Sequence, residues 1–371
     1  MNGLELRSTV TSAGELRLEL TEVDVGAPAA DEVVVRIEAA PINPSDLGLL
    51  LGPADLETLK ASGTPDRPVL TAQVPEKRLG MVKGRLDQSM AVGNEGAGTV
   101  VEAGPDAQHL IGKKVGMIGG AMYAEYRRIR AREVIALPDG ATAADGASMF
   151  VNPLTALGFT ETMKLEGHKA LVHTAAASNL GQMLQRICVK DGIPLVNIVR
   201  SEAQAEILRG CGATHIVDST APDYRERLTD AIADTGATLG FDATGGGKLA
   251  SQILNAMEAA ASRNPGEYSR YGSTTFKQVY IYGGLDTGPT VLDRGFGFSW
   301  SLSGWLLFPF LQKAGPEIAA RMRQRVADEL TTTFASNYTA TIGLAEALNP
   351  DVLLAYQKKA TGEKYLIDPT R

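Results

Sequence analysis

Short apolar runs alternate with longer stretches of helical period between residues 169 and 284, and this alternation is the strongest pattern in the chain. "KALVHTA" (169–175), "PLVNIVR" (194–200), "THIVDS" (214–219), "ATLGFDAT" (237–244) and "KQVYIYGG" (277–284) have the length and β-branched content of buried strands. Between them, "LGQMLQRICVKDG", "EAQAEILRGCG", "DYRERLTDAIADTG" and "KLASQILNAMEAAA" place apolar residues at helical spacing. Strand–helix alternation predicts an α/β fold with a doubly wound parallel sheet. The stretch ahead of it reads differently. "DEVVVRIEAA" (31–40) predicts a strand, "PINPSDLGLLLG" (41–52) a turn into a short helix, and "GTVVEAG" and "GKKVGMIGG" strands joined by turns. Residues 53–90 are rich in Gly, Pro and charge without clear period, and read as an excursion with one or two helices. "FSWSLSGWLLF" (298–308) reads as an apolar edge strand, "GPEIAARMRQRVADELTTTF" as an amphipathic helix, and "GEKYLIDP" as a closing strand.

Composition narrows the function classes. A chain of 371 residues is long enough for two domains, each with a core. A net charge of −7 without Lys/Arg runs argues against nucleic acid or an anionic membrane as partner, leaving a small-molecule substrate. Two cysteines, Cys188 and Cys211, supply neither a disulfide framework nor a four-thiolate zinc site. "GWLLFPFL" (304–311) is too short to span a bilayer, and "MNGLELRSTV" lacks the apolar core of a signal peptide. The expected location is the cytoplasm.

The first strand of the α/β stretch runs into "TAAASNLGQ" (174–182). A dinucleotide-binding turn places Gly-x-Gly-x-x-Gly there, so that the backbone approaches a pyrophosphate at a helix N-terminus. Here Ala176, Ser178 and Gly181 take the three positions, with Asn179 and Leu180 in the turn. The alternative is an ordinary strand–helix turn. Nineteen residues after Gly181, the second strand ends at Arg200, where an acidic residue would bind the ribose hydroxyls of NAD. A guanidinium there, with Ser201 as a further donor, favours NADPH over NADH, unless Glu202 neutralises it. Thr244, Gly245 and Gly246 in "DATGGG", and Tyr282, Gly283, Gly284 and Leu285 in "YGGL", bring two more loops to the carboxyl edge as candidate cofactor contacts.

"INPSD" (42–46), "GNEGAGTVVEAG" (93–104), "NPLTAL" (152–157), "AAASNLG" (175–181), "GATHIVD" (212–218) and "ATGEKYLID" (360–368) follow one another in an order that resembles the medium-chain dehydrogenase/reductase superfamily. The zinc-free branch of quinone oxidoreductases and 2-enoyl thioester reductases fits best. The resemblance implies a GroES-like partial β-barrel from residues 1–150, completed by 313–371, and a Rossmann NADP-binding domain over 151–312. The nicotinamide would lie in the cleft between them, and Thr155 and Asn43 would join its contacts. In zinc-using members the positions of Asn43 and Asn94 hold a cysteine and a histidine, and the third ligand falls near Val151. Neutral amides and a valine do not hold Zn²⁺, so no metal is expected.

Without zinc to polarise an isolated carbonyl, the acceptor must delocalise the charge itself. The implied function is NADPH-dependent hydride transfer to a quinone or an α,β-unsaturated carbonyl. Enoyl thioester reduction is one alternative; residues 47–94 lack the tyrosine that those reductases use to protonate product. A catalytically silent NADPH-binding homologue, a sensor or structural protein, is another. Asn43 is the candidate catalytic residue, against a turn-stabilising role before Pro44. Ser45 and Asp46 are read as holding that turn, Tyr123 and Tyr126 as packing, and the four histidines as ordinary surface or loop residues. The edge strand near residue 300 implies a homodimer.

Overall fold

The computed structural model describes residues 1–263, 269–358 and 363–371. The chain divides into two compact units, Met1–Val151 with Val326–Arg371, and Asn152–Arg325.

The first unit is built from two sheets. Strand Glu32–Pro41 is buried along most of its length, from Val33 to Val35 and at Ile37, with Arg36 the exposed position, and pairs with Glu95–Ala103 on one side. On the other, the closing strand Tyr365–Ile367 sets Leu366 beside Pro41 and Ile367 beside Ala40. Lys114–Ile118, Val134–Ala136 and Ala340–Ile342 extend this sheet, and Tyr126–Arg130 also pairs with Glu32–Pro41. Of the "ATGEKYLID" motif, residues 360–362 lie outside the described residues.

The second sheet corrects the reading of residues 53–90. Asp55–Thr64 and Arg67–Gln73 form a hairpin that joins the edge of Glu15–Asp24. A short helix, Glu76–Leu79, and a 3₁₀ turn, Gly80–Arg85, then lead to the two-residue strand Met90–Ala91. Arg67–Gln73 buries only Leu70 and Ala72, and Asp55–Thr64 buries nothing fully. Strands with so little buried face leave almost no period-two signal, and pairing with their neighbours holds them in place.

The second unit is a six-stranded sheet of parallel strands in the order His215–Asp218, Leu195–Val199, Leu171–His173, Leu239–Asp242, Lys277–Ile281, Trp300–Gly304. Numbered along the chain this is 3-2-1-4-5-6, with the strand order reversing between the first and fourth strands, as expected of a Rossmann sheet. Helices Asn179–Asp191, Glu202–Gly210, Tyr224–Thr235 and Leu249–Ala261 connect the strands. The predicted edge strand is shorter than its apolar run. It stops at Gly304, and Leu307–Ala314 is helical. Trp305 turns inward between them, stacks against Phe310 and donates from Nε1 to Thr162 Oγ1 at 3.1 Å.

The amphipathic helix forms as Pro316–Asp328. Arg321 pairs with Glu161 at 2.7 Å, and Arg325 with Asp191 at 2.7 Å. Residues up to Arg325 therefore group with the second unit, so the chain returns to the first unit at Val326 rather than at 313. No helix among the described residues is long and apolar enough to cross a membrane.

Candidate active site

In the first unit the chain leaves strand Glu32–Pro41 through Ile42 and Asn43 into helix Pro44–Leu50. Proline suits the first helical position, because the N–H that it lacks would have no helical partner there. Asp46, in the first turn, is buried and ties two loops together. Its Oδ2 accepts the Asn43 N–H and its Oδ1 the Asn94 N–H, both at 2.8 Å. The Asn94 Nδ2 donates to Ser45 Oγ at 3.0 Å. Ser45 and Asp46 thus hold the turn. Gly93, just before, has φ +98°, and a Cβ there would stand 2.6 Å from the Tyr123 ring, so this corner needs glycine.

The amide at position 43 belongs to a larger buried network. Asn43 Nδ2 donates to Glu95 Oε1 at 2.8 Å. Glu95 Oε2 accepts the N–H groups of Phe150 and Val151, both at 2.9 Å. Glu95 is fully buried, and burial pushes its carboxyl pKa up against the field of Lys364. Lys364 comes from the closing strand region and is itself buried. Its Nζ donates to Ser148 Oγ at 2.7 Å, and Ser148 shares a 2.8 Å hydrogen bond with Tyr338 Oη. Burial lowers the Lys364 pKa to about 8, with Glu95 and Asp46 opposing. Burial also raises Asp46 to about 7; its two backbone hydrogen bonds pull it down, and the Glu95 charge adds to the rise. Tyr123 is fully buried and donates to the Pro41 carbonyl at 3.1 Å, so it braces the same turn. Tyr126 is a half-buried strand residue. Asn43 Oδ1 is buried without a hydrogen-bond partner. No group of three or more His, Cys, Asp or Glu among the described residues is arranged to hold a metal ion.

In the second unit the fingerprint turn follows strand Leu171–His173. Ala175 takes a left-handed φ of +50°, and Ser178 caps helix Asn179–Asp191 by accepting the Gly181 N–H at 3.1 Å. A Cβ on Gly181 would stand 2.0 Å from the Ala176 carbonyl oxygen, so the third glycine is sterically obligatory. Ala176 and Leu180 are buried in this turn, while Ser178 and Asn179 are partly exposed.

Arg200 follows strand Leu195–Val199 and is exposed; its guanidinium has no ion-pair partner among the described residues. Glu202 does not neutralise it, because Glu202 pairs with Arg209 at 2.6 Å. Ser201 caps helix Glu202–Gly210, accepting the Gln204 N–H at 3.3 Å.

The two glycine-rich loops at the same sheet edge brace each other. Buried Asp242 accepts from Thr174 Oγ1, the Thr244 N–H and the Gly245 N–H at 2.8, 2.8 and 3.2 Å. Those two N–H groups therefore face inward. Gly245–Gly247 pairs with Asp286–Thr290, Leu285 donates to the Ala243 carbonyl, and a Cβ on Gly246 would meet the Asp286 carboxylate. Gly283 lies close against Ala243, while Gly284 and Leu285 are exposed. Thr155 is buried within helix Val151–Leu165.

One histidine contradicts its expected place. His173 is neither surface nor loop but fully buried in the central strand, with Nε2 2.7 Å from Tyr282 Oη, and burial lowers its pKa to about 3. Glu95, Lys364 and Asp242 carried no assigned role in the sequence reading. Their only signal was a charged residue inside an otherwise apolar strand or strand end.

The fingerprint turn, Arg200–Ser201 and the two paired loops all sit at the carboxyl ends of parallel strands, where such sheets bind ligands. Residues 29–139 match the alcohol dehydrogenase GroES-like domain. The chain is 27% identical over 212 residues to the mitochondrial enoyl-[acyl-carrier-protein] reductase of Xenopus tropicalis, a match covering 54% of this chain and 51% of that protein. It thus spans about half the length of that relative. A provisionally assigned NADPH:quinone reductase from Mesorhizobium loti superposes with a TM-score of 0.72 at 26% identity, covering 99% of this chain and 98% of the other. Escherichia coli quinone oxidoreductase, solved with NADPH, gives 0.69 at 17% identity over 100% of both chains. With a GroES-like domain and a 3-2-1-4-5-6 sheet in one chain, and amides where metal ligands would stand, this chain is similar to the zinc-free branch of the medium-chain dehydrogenase/reductase superfamily.

Proposed function

We propose that this protein is an NADPH-dependent oxidoreductase that delivers hydride to a quinone or an α,β-unsaturated carbonyl without a metal. The carrying observation is Arg200, an exposed guanidinium at the end of the second parallel strand with no carboxylate to neutralise it. The cofactor fits the residues present. Gly181 leaves the turn beside Ala176 free of a Cβ, and helix Asn179–Asp191 begins there. NADPH, when bound, supplies the hydride. Arg200 and Ser201 would hold the 2′-phosphate, and the 176–181 turn would approach the pyrophosphate. Thr244, Gly246, Gly284 and Leu285 remain the candidate contacts from the two paired loops, with Thr155 and Asn43 toward the nicotinamide. The amides at 43 and 94 offer no Lewis acid, so a conjugated acceptor must spread the developing charge as an enolate or phenolate.

Quinone or enone reduction is preferred to thioester reduction because residues 47–94 contain neither Tyr nor His. The exposed Phe298, Leu306 and Phe308 beside edge strand Trp300–Gly304 support a homodimer formed through that edge.

The test is Arg200→Ala, with both cofactors titrated by fluorescence. Two charge-assisted bonds to a phosphate are partly screened at an exposed site, so NADPH should weaken about ten- to a hundredfold. NADH should change little. Equal losses, or a wild-type preference for NADH, would remove the cofactor assignment. NADPH oxidation with quinones, enones and acyl thioesters then identifies the acceptor; no turnover with any of them would leave a silent binding protein.

A further inference from the structure

Thr174 is the first residue after strand Leu171–His173, and Asp242 ends strand Leu239–Asp242, so the two stand on neighbouring strands where the sheet order reverses. Both are fully buried and cannot touch a ligand. They act on the chain that follows. The Thr174 hydroxyl donates to Asp242 Oδ1 and accepts the Ala243 N–H, both at 2.8 Å. Asp242 Oδ1 and Oδ2 take the N–H groups of Thr244 and Gly245. Three successive N–H groups are thereby consumed, and each has only one hydrogen to give. The three carbonyls are engaged as well. The Leu285 N–H donates to Ala243, the Asp286 N–H to Thr244, and Thr290 Oγ1 to Gly245. Glycine-rich loops often offer backbone N–H groups to a nucleotide. Residues 243–245 have none to offer. What is left is the Thr244 side chain, which is partly exposed, and whose Oγ1 has no hydrogen-bond partner among the described residues.

We propose that Thr174 and Asp242 are positioning residues that turn the N–H groups of residues 243–245 inward and leave the Thr244 hydroxyl as the one donor this loop gives to a bound dinucleotide. The inference rests on the proposed NADPH binding. Arg200 follows the second strand, on one side of the first, and Thr244 follows the fourth, on the other. A dinucleotide laid across the reversal sets its two nucleotide halves on opposite sides of it. With the adenosine 2′-phosphate at Arg200, the Thr244 hydroxyl falls to the nicotinamide half. The fourth strand adjoins the first, whose turn takes the pyrophosphate, so the next group along is the nicotinamide ribose, and the acceptor is one of its oxygens.

The experiment titrates NADPH and adenosine 2′,5′-bisphosphate, which carries the adenosine half alone, into wild type, Thr244→Val, Thr174→Val and the double variant by calorimetry, with thermal unfolding as the folding control. Valine keeps the shape of threonine and removes the hydroxyl. Thr244→Val should weaken NADPH about three- to tenfold, the value of one net hydrogen bond, and leave the bisphosphate unchanged. Thr174→Val should weaken NADPH by a similar factor, again without loss of the bisphosphate, and Thr174→Ser should restore it. The double variant should bind NADPH no more weakly than Thr174→Val alone, because both changes act through one hydroxyl. A merely structural Thr174 would lower the unfolding temperature and leave the two losses additive. An unchanged ratio of NADPH to bisphosphate affinity in Thr244→Val, or additive losses in the double variant, would overturn the inference while leaving the cofactor assignment in place. Wild type that binds neither probe would overturn both. Should Thr174→Val not fold, Asp242→Asn, which keeps only one accepting oxygen, takes its place under the same criteria.

Discussion

Each unit buries one aspartate at the point where two loops meet, and the two are built differently. Asp242 is wrapped by a hydroxyl and two backbone N–H groups, and its chief side-chain partner, Thr174, in turn accepts the Ala243 N–H. Asp46 takes two backbone N–H groups from loops that are distant in sequence, and has the buried Glu95 as an acidic neighbour. A buried carboxylate ringed only by donors acts as a fixed clamp. Asp46 is pushed up to about 7 by burial, against its two backbone hydrogen bonds, with the neighbouring Glu95 charge adding to the rise. The scaffold loops of the second unit and the turn bearing Asn43 in the first thus rest on different electrostatics.

The largest way to break this contrast is Asp242→Ala. It would strand the Thr174 hydroxyl and the Thr244 and Gly245 N–H groups, and should cost about 3–5 kcal/mol of stability by urea unfolding. A loss below about 1 kcal/mol would mean that the loops do not depend on the clamp.

Gly181→Ala should come next, at about 1–3 kcal/mol with a more than tenfold loss of NADPH affinity, since the new methyl meets a backbone carbonyl. Unchanged affinity would show that the turn has room the geometry denies.

The pH dependence sharpens the comparison directly. The folded Asp46 pKa is raised, so its contribution to stability is fully present below about pH 4 and is lost as pH rises through about 7. The slope should be at most about 1.4 kcal/mol per pH unit. Asp46→Asn should flatten it. Denaturant titrations at several pH values that give parallel slopes for wild type and Asp46→Asn would refute the difference.

The smallest effect on stability is expected at the sheet edge. Phe298→Ser should change unfolding by less than about 0.5 kcal/mol, yet lower the mass seen by light scattering if the edge pairs two copies. A wild-type monomer at micromolar concentration would end that proposal.

The second unit was largely legible in the sequence because parallel strands buried on both faces read as unbroken apolar runs, and their helices carry a clear period. Arg200 was legible for the same reason, as a charge that ends such a run. Residues 53–90 were not, because Asp55–Thr64 has almost no buried face to leave a pattern. The network around Asn43 was hidden differently. Glu95, Ser148, Tyr338 and Lys364 come from four separate segments, and only tertiary pairing brings them together. The burial of His173 leaves no mark in the sequence, because a histidine in a short apolar run gives no sign that Tyr282 will satisfy it.

The pairing of Leu366 with Pro41 bears on how the chain reaches its native state. The first unit is split around an insert, so its sheet gains its last strand only after the chain ends of that insert are brought near each other. Closing so long a loop in an unfolded chain carries a heavy entropic penalty, and contacts of high sequence separation slow folding. The second unit is contiguous, and its formation shortens that loop before the strand must add. Folding should therefore run from the insert outward, with Lys364 reaching Ser148 among the final events.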